Sequence, residues 1–166
     1  MAFPELSRDV GKGWILEGPD RIISFKVKTF QRFIDSLVGM AGAHVADVLL
    51  YHMGSELGHT AHDYTKEETR SEDDLPKVID RVLTERGWGR CLEMTVKRQN
   101  GRVAYVFTVS GGPLVRERRA AEPTCTLVRG SLAGWLEAYL GKKAQSSTET
   151  ECASTGDKFC IFEVTF

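Results

Sequence analysis

The stretch Leu92-Glu93-Met94-Thr95-Val96-Lys97-Arg98-Gln99-Asn100-Gly101-Arg102-Val103-Ala104-Tyr105-Val106-Phe107-Thr108-Val109 decides the fold class. Apolar Leu92, Met94 and Val96 alternate with polar Glu93, Thr95 and Lys97, the period of a half-buried strand. Asn100-Gly101 tolerates two consecutive positive φ values and so predicts a tight two-residue turn. A second β-rich run returns from Val103 to Val109. An antiparallel hairpin is expected, and the segments around it must supply helices to cover one face.

Upstream, Gly87-Trp88-Gly89 separates the hairpin from a helix predicted over Leu75 to Arg86. Leu75, Val78, Ile79, Val82 and Leu83 form its apolar face, and Ser71 ahead of Glu72, Asp73 and Asp74 supplies an N-terminal cap. Residues 43–63 read as a longer helix. Its stripe is Val45, Leu49, Met53 and Leu57, widened by Ala46, Leu50 and Ala61. Gly54 and Gly58 each cost ~1 kcal/mol in a helix relative to alanine, which points to close approach of another backbone. From Lys28, Phe30, Phe33, Ile34, Leu37 and Val38 share one helical face, with Gly39 and Gly42 ending that helix. Gly13–Leu16 and Arg21–Val27, around Glu17-Gly18-Pro19-Asp20, predict an N-terminal hairpin. Residues 1–12 have no clear period and are expected to form an arm ahead of one domain over 13–166.

Downstream, a helix is predicted from Pro123 to Leu140 with Gly141 as its C-terminal cap. Segments 143–153 and 158–165 make a last hairpin around Ser154-Thr155-Gly156-Asp157. The pattern is an α+β domain with an antiparallel sheet covered by helices.

The chain has 166 residues, 42% hydrophobic and 27% charged, with a net charge of −1. That balance excludes a strong overall pull toward nucleic acid or anionic membranes, and the basic cluster Arg116, Arg118 and Arg119 also holds Glu117 and Glu122. No apolar run approaches the ~20 residues of a membrane span. The first thirty residues carry Arg8, Asp9, Lys12, Asp20 and Arg21 and show no signal-peptide pattern. A cytoplasmic protein is expected, so metal binding or burial of the four cysteines ranks ahead of disulfides.

Cys152 and Cys160 lie equally far from Gly156, which makes them cross-strand neighbours about 4.5–5.5 Å apart at Cβ. Cys125 falls in the first turn of the preceding helix, where the dipole favours a thiolate. Glu149 or Glu151 can supply a fourth ligand, and Glu149 requires a bulge to reach the cysteine face. Three thiolates and a carboxylate suit a closed structural Zn²⁺ site. A Cys152–Cys160 disulfide and three buried free thiols are the competing readings.

The set Cys125, Gly130, Gly134, Glu149, Cys152, Gly156, Cys160 and Phe162 resembles the C-terminal signature of the 4-vinyl reductase (hydrocarbon-binding) domain family. Gly54, Gly58, Ala61 and the Gly87-Trp88-Gly89 strand entry also fit, so the resemblance spans roughly residues 20–166. It implies the ligand-binding fold shared with TRAPP-like subunits and nitric-oxide-signalling-like domains, and zinc on Cys125, Glu149, Cys152 and Cys160. It also implies a hydrophobic or aromatic small-molecule ligand and a homodimer. The related phenol- and toluene-responsive activators carry output modules, whereas nothing here follows Phe166, so a binding or sensing domain without its own output is expected. A tetrapyrrole-handling accessory of bacteriochlorophyll metabolism and a dimeric TRAPP-like scaffold are the alternatives.

Phe30, Phe33, His52, Met53, Leu57, Trp88, Tyr105, Phe107 and Trp135, with Tyr139, are the candidate pocket-lining residues. The histidines at 44, 52, 59 and 62 lie on or beside the second helix but form no HExxH pattern. GxSxG, P-loop and dinucleotide fingerprints are absent, so no catalytic residue is assigned. Arg129, like the 116–119 cluster, is a candidate for gripping a carboxylate.

Overall fold

The computed structural model describes residues 5–115 and 120–166. The Arg116–Arg119 cluster lies outside them. Strands β1 (Leu6–Asp9), β2 (Trp14–Glu17) and β3 (Asp20–Ile22) form an antiparallel meander. The expected arm therefore contains a strand, with Leu6 opposite Glu17. Ion pairing of Glu17 with Arg86 and a hydrogen bond from the Tyr64 hydroxyl to Asp20 tie this meander to the remainder.

Helices α1 (Val27–Ala41) and α2 (Ala43–Thr65) follow, then a 3₁₀ turn (Glu72–Asp74) and α3 (Leu75–Glu85). The expected cap holds, since the Ser71 backbone N–H donates to Asp74 Oδ2 at 2.9 Å. All five expected face residues of α3 are buried. Strands β4 (Arg90–Gln99) and β5 (Arg102–Ser110) are the central hairpin, turning on Asn100 at φ 52° and Gly101 at φ 75°. Helix α4 (Thr126–Leu140) and strands β6 (Ser146–Glu151) and β7 (Cys160–Thr165) complete a four-stranded antiparallel sheet ordered β4-β5-β7-β6. This is the expected α+β class. Tyr105, Phe107 and Val109 on β5, with Phe162 and Val164 on β7, bury one sheet face beneath the helices.

Two expectations of facing are corrected. On α1 only Ile34 is buried, while Phe33 and Val38 are exposed. On α2 the stripe Val45, Leu49, Met53 and Leu57 is 39–49% exposed, and the buried face is Ala46, Leu50, Gly54, Ser55 and Gly58. The cause is α4. A Cβ placed on Gly54 or Gly58 would come closer than 3.0 Å to the Leu127 or Ser131 carbonyl oxygens. One on Gly130 or Gly134 would do the same to Tyr51 or Ser55. Glycines on both helices thus let two backbones touch, and the apolar stripe of α2 turns away from the sheet. Leu92 also departs from its expected place, because a register shift between Cys91 and Glu93 turns it out to 50% exposure. No helix among the described residues is long and apolar enough to cross a membrane.

Candidate metal centre and adjoining clefts

Cys125 is the N-cap residue of α4, with φ −93° and ψ 32°. Its sulfur sits at the positive end of that helix. Cys160 opens β7, and Cys152 follows the last residue of β6. The Glu151–Ile161 pair extends by one step to Cys152 opposite Cys160. All three cysteines are buried and all four in the chain are free thiols, so no Cys152–Cys160 disulfide forms.

Glu149 joins this group through the bulge its position demands. The β6–β7 register shifts between Glu149 and Glu151, so Glu149 lies opposite buried Phe162 and faces the helices. Exposed Glu151 takes no part. One ligand atom from each of Cys125, Glu149, Cys152 and Cys160 lies within 4.8 Å of the others. Cys125 Sγ and Cys160 Sγ are 3.7 Å apart, and the Cys125 backbone N–H donates to Glu149 Oε2 at 3.0 Å. Glu149 Oε1 is buried without a partner.

The surrounding turn is built to hold sulfur. Backbone N–H groups of Ala153 and Ser154 donate to Cys160 Sγ and Cys152 Sγ at 3.4 Å each. Asp157 Oδ2 accepts from the Cys152 N–H at 2.9 Å and fixes the turn. A hydrogen bond to Cys160, then burial and Glu149, push the Cys125 thiol up. Burial does the same to Cys152, whereas the bond from Cys125 draws Cys160 down. Mutual repulsion among buried anions opposes further ionisation, and a divalent cation would remove that opposition. The orphaned carboxylate oxygen and three converging sulfurs fit a four-coordinate soft-ligand metal site with no open position.

Cys91 is separate from this group. Burial raises its thiol to about 11, so it is protonated and unreactive at neutral pH.

The expected pocket residues are scattered. Phe33, Met53 and Leu57 are exposed, while Tyr105, Phe107 and Trp135 are 0–3% exposed within the core. The polar ends of those core aromatics are satisfied internally: Tyr105 donates to Glu72 Oε1 at 2.9 Å and Trp135 Nε1 to Thr65 Oγ1 at 3.2 Å. Phe30, Trp88 and Tyr139 pack partly buried against the core. His52 lies edge-on to Tyr51, His62 edge-on to Trp135, and His59 Nε2 is 3.8 Å from Glu137 Oε2. Among the described residues the histidines join no metal cluster.

Two clefts flank the start of α4. The larger, about 800 Å³, lies between α1, α2 and residues 120–126, with Ile34, Val38, Ala46, Leu50 and Pro123 on its apolar wall. Glu149 and Thr126 form part of its polar wall. The smaller, about 370 Å³, is lined by Tyr51, His52, Gln145 and Ser147. Asp47 and Arg129 border both. Burial and the nearby Glu137 raise the Tyr51 hydroxyl, and contact with Ser147 and Arg129 opposes this. Sequence reading missed Asp47 and Tyr51, because their partner Arg129 lies about eighty positions away with no local pattern to link them.

Residues 105–166 match the family model of the vinyl-4-reductase domain. That match holds β5, α4, the last hairpin and all four clustered ligands, and it bears out the 4-vinyl reductase resemblance. The fold is similar to that of the phenol-responsive sensory domain of the transcription activator PoxR, solved with phenol. The TM-score is 0.82 at 21% identity over 96% of this chain and 84% of that one. It is also similar to a vinyl-4-reductase family protein from Methanocaldococcus jannaschii, at TM-score 0.50 and 20% identity over 86% and 82%. A comparison with curated proteins found no match.

Proposed function

We propose that residues 13–166 act as one zinc-containing domain that binds or senses a hydrophobic small molecule in a cytoplasmic, reducing setting. The observation that carries this reading is the position of Glu149. The same carboxylate belongs to the four-residue cluster and to the wall of the 800 Å³ largely apolar cleft. Zinc, when bound, cross-links the start of α4 to the last hairpin and supplies no open coordination position. The chain's own residues do the binding: Ile34, Val38, Ala46 and Leu50 exclude water, and Thr126 and Arg129 offer donors that orient a polar group. The phenol bound by the PoxR domain, which shares this fold, supports a ligand of that size and character.

Thermal unfolding in the presence of phenols, alkylbenzenes and porphyrin precursors tests the reading. A ligand at 100 times its dissociation constant is expected to add about 2.7 kcal/mol of stability. If none of these classes moves the midpoint, the binding reading fails and a scaffold role replaces it.

A homodimer is part of the proposal. Val45, Leu49, Met53 and Leu57 form a continuous exposed apolar stripe on the 23-residue α2. Exposed apolar surface of this continuity marks association, and a two-fold axis across one helix pairs like with like. Light scattering is expected to give twice 18.5 kDa, and Leu49→Glu to give the monomer. An 18.5 kDa species at all concentrations overturns the dimer.

A further inference from the structure

Arg129 stands at the boundary of the two clefts with its hydrogen-bonding capacity partly unused. Its Nη2 donates to Asp47 Oδ2 at 3.0 Å, its Nη1 reaches the Ser147 carbonyl at 3.4 Å, and its guanidinium lies over the Tyr51 ring. Its Nε is shielded from solvent and has no acceptor. A carboxylate normally takes an arginine through two parallel bonds. Asp47 does not complete that fork, because its other oxygen accepts from the Thr126 hydroxyl. Ser147 Oγ, beside the same guanidinium, is buried without a well-formed hydrogen bond, although it lies near the Tyr51 hydroxyl. Two polar atoms thus converge at Arg129 with nothing to accept from the arginine fork.

The other charges around Arg129 do not fill this place. The Asp47 side chain is 49% exposed, so solvent screens its charge and it can turn away at little cost. Glu122 is exposed on the cleft rim, and Glu149 faces the cysteine cluster. The larger cleft therefore joins an apolar wall to a cation with an open acceptor position.

We propose that the ligand is an amphipathic carboxylic acid. Its apolar part lies against Ile34, Val38 and Leu50, and its carboxylate accepts from Arg129. This rests on reading the larger cleft as the ligand site and names the chemical class that site selects.

Calorimetric titration at pH 7.5 with 4-butylbenzoic acid and its neutral isostere 4-butylbenzamide tests it. The acid is expected to bind on the order of tenfold tighter than the amide, since hydrogen bonds to a charged partner are about twice as strong as neutral ones. Arg129→Met should abolish that preference and leave amide affinity unchanged. Asp47→Asn frees the whole fork and should tighten acid binding alone, which keeps the test decisive should the arginine variant fail to fold. Equal affinity for acid and amide, or preference that survives Arg129→Met, overturns the inference while the binding reading stands. Silence of the acid in protein that binds phenol or butylbenzene also overturns it. Silence of every hydrophobic compound removes the binding reading itself.

Discussion

Gly58→Ala and Gly134→Ala are each expected to lower the unfolding free energy by about 3 kcal/mol or more, although alanine is the better helix former. In an exposed helix the same exchange is favourable by up to ~1 kcal/mol. At these two positions the added methyl would meet the Ser131 and Ser55 carbonyls of the partner helix. Backbone atoms cannot rotate away as a side chain does, so α2 and α4 must separate along their length. That separation also disturbs Cys125, which caps α4, and Arg129, which α4 carries. Gly39→Ala on α1 is the matched control, because a Cβ there meets nothing within 4 Å, and it should be neutral or stabilising. Urea unfolding of the three variants reads the difference. Equal stability of Gly134→Ala and the parent protein would show that the two backbones are not in contact.

The same glycines explain where sequence reading stopped. The β4–β5 hairpin and α3 were legible because their patterns carry side-chain hydrophobicity at a clear period. Leu75, Val78, Ile79, Val82 and Leu83 are all buried as that period demands. On α2 the period pointed to the wrong face. The buried surface there is made of Gly54, Gly58 and Ala46, which contribute contact through backbone, while the leucine and methionine stripe turns outward. The glycine spacing did signal a close approach, but not which face would win. Strand β1, Leu-Ser-Arg-Asp, was illegible because it is largely exposed and lacks apolar alternation.

The candidate site divides in the same way. Strand parity placed Cys152 opposite Cys160 and required a bulge for Glu149, and the β6–β7 register supplies that bulge. The pairing of Asp47 with Arg129 joins α2 to α4, and nothing local in either segment announces it. A cleft is a negative shape between elements, so its lining depends on how helices sit rather than on how apolar they are. The aromatic residues expected in a pocket are therefore found filling the core.

Protein purified without chelator is expected to contain one zinc ion per chain, and Cys152→Ser should lose it together with much of the stability of the fold. The sulfur of Cys152 is fully buried among Cys125, Cys160 and Glu149. A shell of four protein ligands has no water to take the place of a missing thiolate, so the remaining anions would be left buried and partly uncompensated. Structural zinc contributes roughly 10–16 kcal/mol of apparent binding free energy in small domains, and loss of one ligand is expected to remove on the order of 5 kcal/mol here. Chelation should act in the same direction, since the folded metal-free chain must keep Cys125 and Cys152 as thiols, raised as they are by hydrogen bonding and burial. Binding must then release protons, and metal retention should fall as pH falls. Cys91→Ser serves as the control, because Cys91 lies outside the cluster, and it should retain a full complement of metal. Elemental analysis of each variant, paired with its melting curve, checks both halves of the expectation. A parent protein free of stoichiometric metal yet stable, or a Cys152→Ser variant with unchanged metal content and midpoint, would remove zinc from the account.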